Sequence, residues 1–201
     1  MRLTIPNQLT ILRIFLTPVF IFLFVQNSMQ DKLYGTITFF IAAATDWYDG
    51  YVARKLNVIT RWGQFMDPLA DKILISSALC IFAFLGYLYW WMVLIIVIRD
   101  FVITFVRLYA LKHGKLIVTS VFAKWKTFIQ MTGVLLLLIY LNLPSCDLYR
   151  LESLPPPYNH WVSILFLIVT IITGFTGIQY LIENRSHLSE LLRRTTKIFR
   201  N

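Results

Sequence analysis

Asp46, Asp49, Asp67 and Asp71 crowd into one stretch of an otherwise apolar sequence. Asp46 and Asp49 are three positions apart, and Asp67 and Asp71 are four apart, so on helices each pair shares a face. Two neighbouring helices can then aim all four carboxylates into one pocket. A single carboxylate at the centre of a membrane helix costs about 3 kcal/mol, and less near the interface. Four of them also repel one another, so such a cluster needs positive charge to offset it. One or two divalent cations supply it most simply, and oxygen-only ligands favour hard ions such as Mg²⁺ or Mn²⁺ over zinc. Ions held this way bridge phosphate oxygens and neutralise charge in phosphoryl transfer. Gly50, Gly63 and the small Ala53 allow a ligand to come close to the backbone. Arg54 can pair with an acid or with a phosphate.

The elements that must position these acids are written in the hydropathy. Of 201 residues, 58% are hydrophobic and only 14% charged, whereas soluble domains carry about a quarter charged residues. Apolar windows cover Leu9 to Val25, Leu33 to Val52, Leu69 to Tyr89, Trp90 to Leu111, Ser120 to Leu141 and Trp161 to Ile182. Each is close to the roughly 20 residues that cross a bilayer. The expected fold is all-α: a six-helix membrane domain over residues 1–182 with a polar cavity open to the cytoplasm, followed by a basic tail, 183–201. Residues up to Gln8 are expected along the membrane surface, and Leu188, Leu191, Leu192, Ile198 and Phe199 suit an amphipathic surface helix in the tail. The N-terminal run lacks a small-residue cleavage site and contains Arg13, so it reads as a retained span and not as a signal peptide. Pro144 and Pro155-Pro156-Pro157 favour an extended outer connector. Cys80 and Cys146 form no zinc-spaced cluster.

Charge supplies the orientation. Arg54, Lys55 and Arg61 follow the second window, Lys112, Lys115, Lys124 and Lys126 surround the junction of the fourth and fifth, and five more basic residues lie in the tail. The opposite loops carry only Lys32 and Arg150, beside Asp31, Asp147 and Glu152. This bias puts the termini and the acidic hairpin in the cytoplasm of a cell membrane. The net charge of +9 fits that topology and contact with anionic lipids. Nothing resembles a nucleic-acid module, so no nucleic-acid partner is expected.

The run Asp46-x2-Asp49-Gly50-x2-Ala53-Arg54-x8-Gly63-x3-Asp67-x3-Asp71 resembles the signature of the CDP-alcohol phosphotransferases without a gap or substitution. Ile5-Pro6-Asn7-Gln8-Leu9-Thr10-x2-Arg13, Asn57-x2-Thr60, Asp67-Pro68-x-Ala70-Asp71-Lys72 and Lys124-Trp125-Lys126-Thr127-x2-Gln130 are similar to stretches of its bacterial phosphatidylglycerophosphate synthase branch, so the likeness covers essentially the whole chain. The resemblance implies that Asp46, Asp49 and Asp67 hold the metals, and that Asp71 holds a metal or takes the acceptor's hydroxyl proton. It implies that CDP-diacylglycerol lies along Asp46, Asp49, Gly50, Ala53, Arg54 and Gly63, with Asn7 and Thr10 approaching the diphosphate. An alcohol oxygen then attacks the lipid-side phosphorus and CMP leaves. Members of the family are often homodimers.

A second group of charges bears on the acceptor. Arg99 and Arg107 are eight apart, close to two helical turns, and Lys124 and Lys126 follow in the next window. A basic pocket between helices suits the phosphate of glycerol 3-phosphate. The same residues could instead pair with Asp100, hold lipid phosphates or snorkel to the interface. The related synthases usually have glutamate after the arginine, where this chain has Asp100, one methylene shorter. Serine, inositol phosphate and phosphatidylglycerol are the alternative acceptors for the same chemistry. A divalent-cation transporter would use the acids differently, but the outer halves of the second and third windows carry no charge to continue a path.

Overall fold

The computed structural model describes residues 5–26, 28–56, 61–112, 121–142 and 161–183. These form six helices and, among the described residues, no strand: α1 (Ile5–Val25), α2 (Met29–Leu56), α3 (Arg61–Phe84), α4 (Trp90–Lys112), α5 (Val121–Tyr140) and α6 (Trp161–Glu183). The six apolar windows thus match six helices, with shifted ends. The Pro-rich connector with Cys146, the basic tail beyond residue 183 and the loop at 57–60 lie outside the described residues.

The largest shift is in α3. It begins at Arg61, well before the apolar window, and carries Pro68 in its second turn. A proline at this depth has no N–H to give the carbonyl four residues earlier, so the helix forgoes one ladder bond there. At its other end α3 stops at Phe84, short of the expected Tyr89. Gly86 adopts φ +81°, the N–H of Tyr87 donates to the Phe82 carbonyl at 2.8 Å, and the N–H of Gly86 donates to that of Ala83 at 3.2 Å. This is a left-handed glycine stop with its paired hydrogen bonds. Hydropathy alone runs through it, because Leu85, Tyr87 and Leu88 keep the window apolar.

α1 lies between α2 and α3 and packs along both, whereas α2 and α3 touch each other little. α4 packs on α3 and α6, and α5 on α6 and α3. The expectation that α2 and α3 face each other directly is therefore corrected: α1 wedges between them. Rings fasten that wedge at the end away from the aspartates. Phe20 lies 5.2 Å from Phe39 of α2, and Phe24 lies 6.2 Å from Phe82 of α3 in an edge-on contact. All four are fully buried and continue into Leu79, Val134, Leu137 and Phe166. At Gly35 the two helices come so close that a Cβ would sit 3.1 Å from the backbone nitrogen of Phe24.

The outer surface is apolar. Phe15, Phe22, Phe84, Phe128, Ile171 and Phe175 are each more than three-fifths exposed. Threonine hydroxyls turn back on their own helices: Thr17, Thr36, Thr38, Thr104 and Thr170 each donate to the carbonyl four residues earlier. A hydroxyl without water finds its acceptor this way. Among the described residues two helices, over Asn7–Val25 and Ser163–Tyr180, are long and apolar enough to cross a membrane. Helices α2 and α4 carry too many ionised residues within their span to meet that measure. Three of those residues, Asp46, Arg99 and Asp100, take part in the site described below.

Gly35→Val should drive α1 off α2 and cost about 1–3 kcal/mol through overpacking. Thermal unfolding in detergent should show a lowered midpoint. Gly174→Ala is the control, since nothing lies within 4 Å of its added Cβ, and its midpoint should not fall.

Candidate active site

The N-terminal half of α1 sets the acidic end of the bundle. Asn7, Thr10 and Arg13 repeat every three residues along one face, and all three are buried. Thr10 Oγ1 donates to Asp67 Oδ1 of α3 at 2.5 Å. Arg13 Nη1 pairs with Asp46 Oδ1 of α2 at 2.6 Å, with its side chain fully shielded from solvent. One helix thus tethers the carboxylates of its two neighbours. Asp67 and Asp71 both lie close enough for their charges to act on Asp46. The expected convergence of Asp46, Asp67 and Asp71 is present, and it is built around α1.

Helix geometry explains the convergence. Asp46 stands late in α2 and Asp67 and Asp71 early in α3, so all three sit at the same end as the first turns of α1. The side chains of Asp49, Gly50's surroundings, Ala53 and Arg54 lie outside the described residues, as does the side chain of Lys124. Gly63 is buried in the first turn of α3.

The second feature is a cation cluster centred on Asp100 of α4, which is only 3% exposed. Its Oδ1 accepts from Lys126 Nζ of α5 at 2.5 Å and from Arg99 Nη1 at 3.1 Å. Its Oδ2 faces Lys72 Nζ of α3 at 3.8 Å. Lys126 is fully buried along its side chain. Arg99 Nη2 donates to Thr176 Oγ1 of α6 at 3.0 Å. Beside it, Gly177 leaves the room that Arg99 occupies, since a Cβ there would stand 3.0 Å from Arg99 Cγ. Three cations from three helices therefore surround one carboxylate. Lys72 also lies 3.7 Å from Asp71 Oδ2, so the cluster adjoins the acidic end.

Of the four cations expected at the acceptor site, the structure gathers Arg99 and Lys126. Arg107 is not among them: it is exposed. Eight residues advance a helix by about 12 Å and leave a turn of roughly 80°, too much for two arginines to serve one small group. Pairing with Asp100, which the sequence offered as the alternative use of these cations, is what Arg99 and Lys126 do, and it leaves them clustered and not dispersed. Lys72, Thr176 and Gly177 have no role assignable from sequence. An arginine inside the first apolar run was the visible signal for Arg13. Lys72 beside Asp71 pointed nowhere in particular until the fold placed α4 next to it.

Carboxylate oxygens on α2 and α3, with Thr10 beside them, form a hard-donor set of the kind a divalent ion takes. Among the described residues no three such side chains close to the spacing of a complete metal centre, and the side chain of Asp49 falls outside them.

The family model for CDP-alcohol phosphatidyltransferase matches residues 3–178. A Bacillus subtilis protein named CDP-diacylglycerol–glycerol-3-phosphate 3-phosphatidyltransferase is 37% identical over 179 residues, which are 83% of this chain and 90% of the relative. Proteins of the same name from Haemophilus influenzae and Escherichia coli are 34% and 31% identical, covering 90% and 94% of this chain and 93% and 98% of their own lengths. The match takes in α1 to α5 and most of α6, including both the acidic end and the Asp100 cluster. The chain belongs to the CDP-alcohol phosphatidyltransferase family.

Proposed function

We propose that this chain is a membrane-embedded transferase that moves the phosphatidyl group of CDP-diacylglycerol to glycerol 3-phosphate, releasing CMP and forming phosphatidylglycerophosphate. One observation carries the choice of acceptor. Lys72 stands 3.7 Å from Asp71 and 3.8 Å from Asp100, so a cation cluster lies directly beside the acids that do the chemistry. Three cations against one carboxylate leave surplus positive charge, which suits a phosphate dianion. An uncharged alcohol, or zwitterionic serine with no net charge, would leave that surplus unbalanced. The names of the relatives point to the same acceptor.

The proposed roles divide between the acidic end and the cation cluster. Thr10 and Arg13 fix Asp67 and Asp46 against α1. Gly50, Ala53 and Gly63 give the cytidine diphosphate close approach to α2 and α3, with Arg54, Asn7 and Thr10 at its phosphates. Mg²⁺ or Mn²⁺ ions, two in number and held by Asp46, Asp49, Asp67 and Asp71, would neutralise the diphosphate when bound. Asp71 takes the proton from the attacking hydroxyl of glycerol 3-phosphate. The oxygen–phosphorus bond to the acceptor forms as the bond between phosphorus and the CMP oxygen breaks. Arg99 and Lys126 hold the acceptor's own phosphate, at a distance that leaves its hydroxyl near Asp71.

The surface supports the lipid setting. Rings and branched chains exposed on α1, α3, α5 and α6 have no reason to face water in such numbers, and a bilayer covers them. We place all six helices in the cell membrane with the acidic end on the cytoplasmic side, where the basic residues fall. Contact with anionic lipids and a homodimer complete the proposal.

Two measurements test it. Purified protein in mixed micelles with CDP-diacylglycerol and Mg²⁺ should release CMP with glycerol 3-phosphate and not with serine or inositol phosphate; turnover only with one of the latter would overturn the acceptor. Asp71→Asn should reduce CMP release by about two to four orders of magnitude, the usual worth of a general base, while CDP-diacylglycerol still binds. Full turnover in that variant would remove Asp71 from the mechanism. Lys126→Met should raise the KM for glycerol 3-phosphate about ten-fold or more, with the KM for CDP-diacylglycerol unchanged.

A further inference from the structure

Among the described residues Asp100 makes no direct contact with a carboxylate of the acidic end, yet three cations are arranged on it. Its environment shows why it does more than cancel charge. Lys126 has no exposed side-chain surface, so water cannot orient its ammonium group. The carboxylate at 2.5 Å supplies its direction. Arg99 is held at two points, by Asp100 Oδ1 and by Thr176 Oγ1, and Gly177 lets it lie flat against α6. The backbone beneath Asp100 is itself fixed, because Thr104 Oγ1 donates to the Asp100 carbonyl at 2.7 Å. A lysine ammonium has three donors and a guanidinium five. Asp100 and Thr176 use one of Lys126's and two of Arg99's, so both cations keep donors for a further anion.

We infer that Asp100 is a positioning residue for the acceptor: it fixes Lys126 and Arg99 so that their remaining donors converge on the acceptor's phosphate, and through Lys72 it joins that grip to Asp71. This rests on the proposed reaction with a phosphorylated acceptor. The link through Lys72 gives it a geometric consequence. Lys72 lies between Asp100 and Asp71, one ion-pair distance from each, so the spacing between the anchored phosphate and the proton-accepting carboxylate is set by three side chains on α3, α4 and α5. An acceptor is thereby selected by the separation of its phosphate and its hydroxyl, and not by charge alone.

Simple electrostatics and positioning make opposite forecasts. Removing the charge of Asp100 makes the cluster more positive, and attraction alone would lower the KM for glycerol 3-phosphate. Positioning requires the reverse. With full-length enzyme in mixed micelles, Asp100→Asn should cut kcat/KM for glycerol 3-phosphate about 100-fold, the scale of a misplacement near 1 Å, while the KM for CDP-diacylglycerol stays within about two-fold. Asp100→Glu should recover most of the loss, since a carboxylate returns to the cluster. The double variant Asp100→Asn with Lys126→Met should lose more than Lys126→Met alone only by what Asp100 contributes through Arg99, well short of additive losses, because a residue that acts through another adds little once that other is gone. This last comparison also serves if Asp100→Asn fails to fold, since the double variant does not leave Lys126 without a counter-charge. A lower KM for glycerol 3-phosphate in Asp100→Asn, an equal rise in the KM for CDP-diacylglycerol, or additive losses in the double variant would each overturn the inference. Turnover of the unaltered enzyme with glycerol 3-phosphate tests the proposed reaction separately, so the two can fail independently.

Discussion

Arg13 and Asp46, 2.6 Å apart, hold the structure's acidic end in place. A guanidinium with no solvent exposure cannot stand alone, because stranding one partner of a buried pair costs about 3–5 kcal/mol. That constraint fixes the height of α1 against α2. One turn earlier, the Thr10–Asp67 hydrogen bond fixes α1 against α3. With those two contacts made, Asp46 and Asp67 are brought together even though α2 and α3 have little contact of their own. The aromatic pillar of Phe20, Phe24, Phe39 and Phe82 does the same at the far end by burial. Each helix pair is thus clamped twice, by charge where ligands must enter and by rings where nothing polar is needed. The polar clamp is open to one side: Asp46 keeps 45% of its side chain exposed, so its second oxygen remains available.

The helices themselves were legible from hydropathy, and the acids from their spacing. Six apolar windows became six helices because outward-facing and core-facing residues are both apolar, so the windows are long and continuous. The same uniformity hid the details. α3 ends at Gly86, a stop made by backbone conformation inside an apolar run, which hydropathy cannot register. The wedge of α1 was equally hidden, since nothing in the periodicity of a helix that is apolar on nearly all sides says which neighbours it touches. Arg13 could have revealed it: an arginine in an apolar span implies an acidic partner, and the nearest acids are on α2 and α3. At the second cluster, spacing misled in one respect. Arg99 and Arg107 looked paired because both sit roughly on one face, but the axial advance separates them. Asp100, one position from Arg99, was the better guide, because a buried carboxylate must gather whatever cations lie within reach.

The two clusters solve the same desolvation problem with opposite sign. At the acidic end carboxylates outnumber the cation Arg13, and the deficit invites positive ligands. Around Asp100 the cations outnumber the carboxylate, and the excess invites an anion. Neither arrangement is the most stable one available, since a balanced pair or an apolar replacement would cost less. Each cluster is left with unbalanced charge that a ligand of opposite sign would offset, and the apolar core that runs from Phe166 to Leu79 supplies burial apart from both.

Lys72 makes these two imbalances into one site. On its own element it is merely the residue after Asp71, pointing about 100° away around the helix. Packing α4 against α3 puts Asp100 on the other side of its ammonium group, so Lys72 is shared between an acid of the proposed reaction and an acid that belongs to the cation cluster. The sharing ties Asp71 and Asp100 to one ammonium group and so sets the distance between them. An attack by one end of a small molecule, held by its other end, needs this kind of separation. The fold provides it with a single side chain, because opposite charges placed on three packed helices would otherwise collapse into one neutral knot and leave nothing for a substrate to complete.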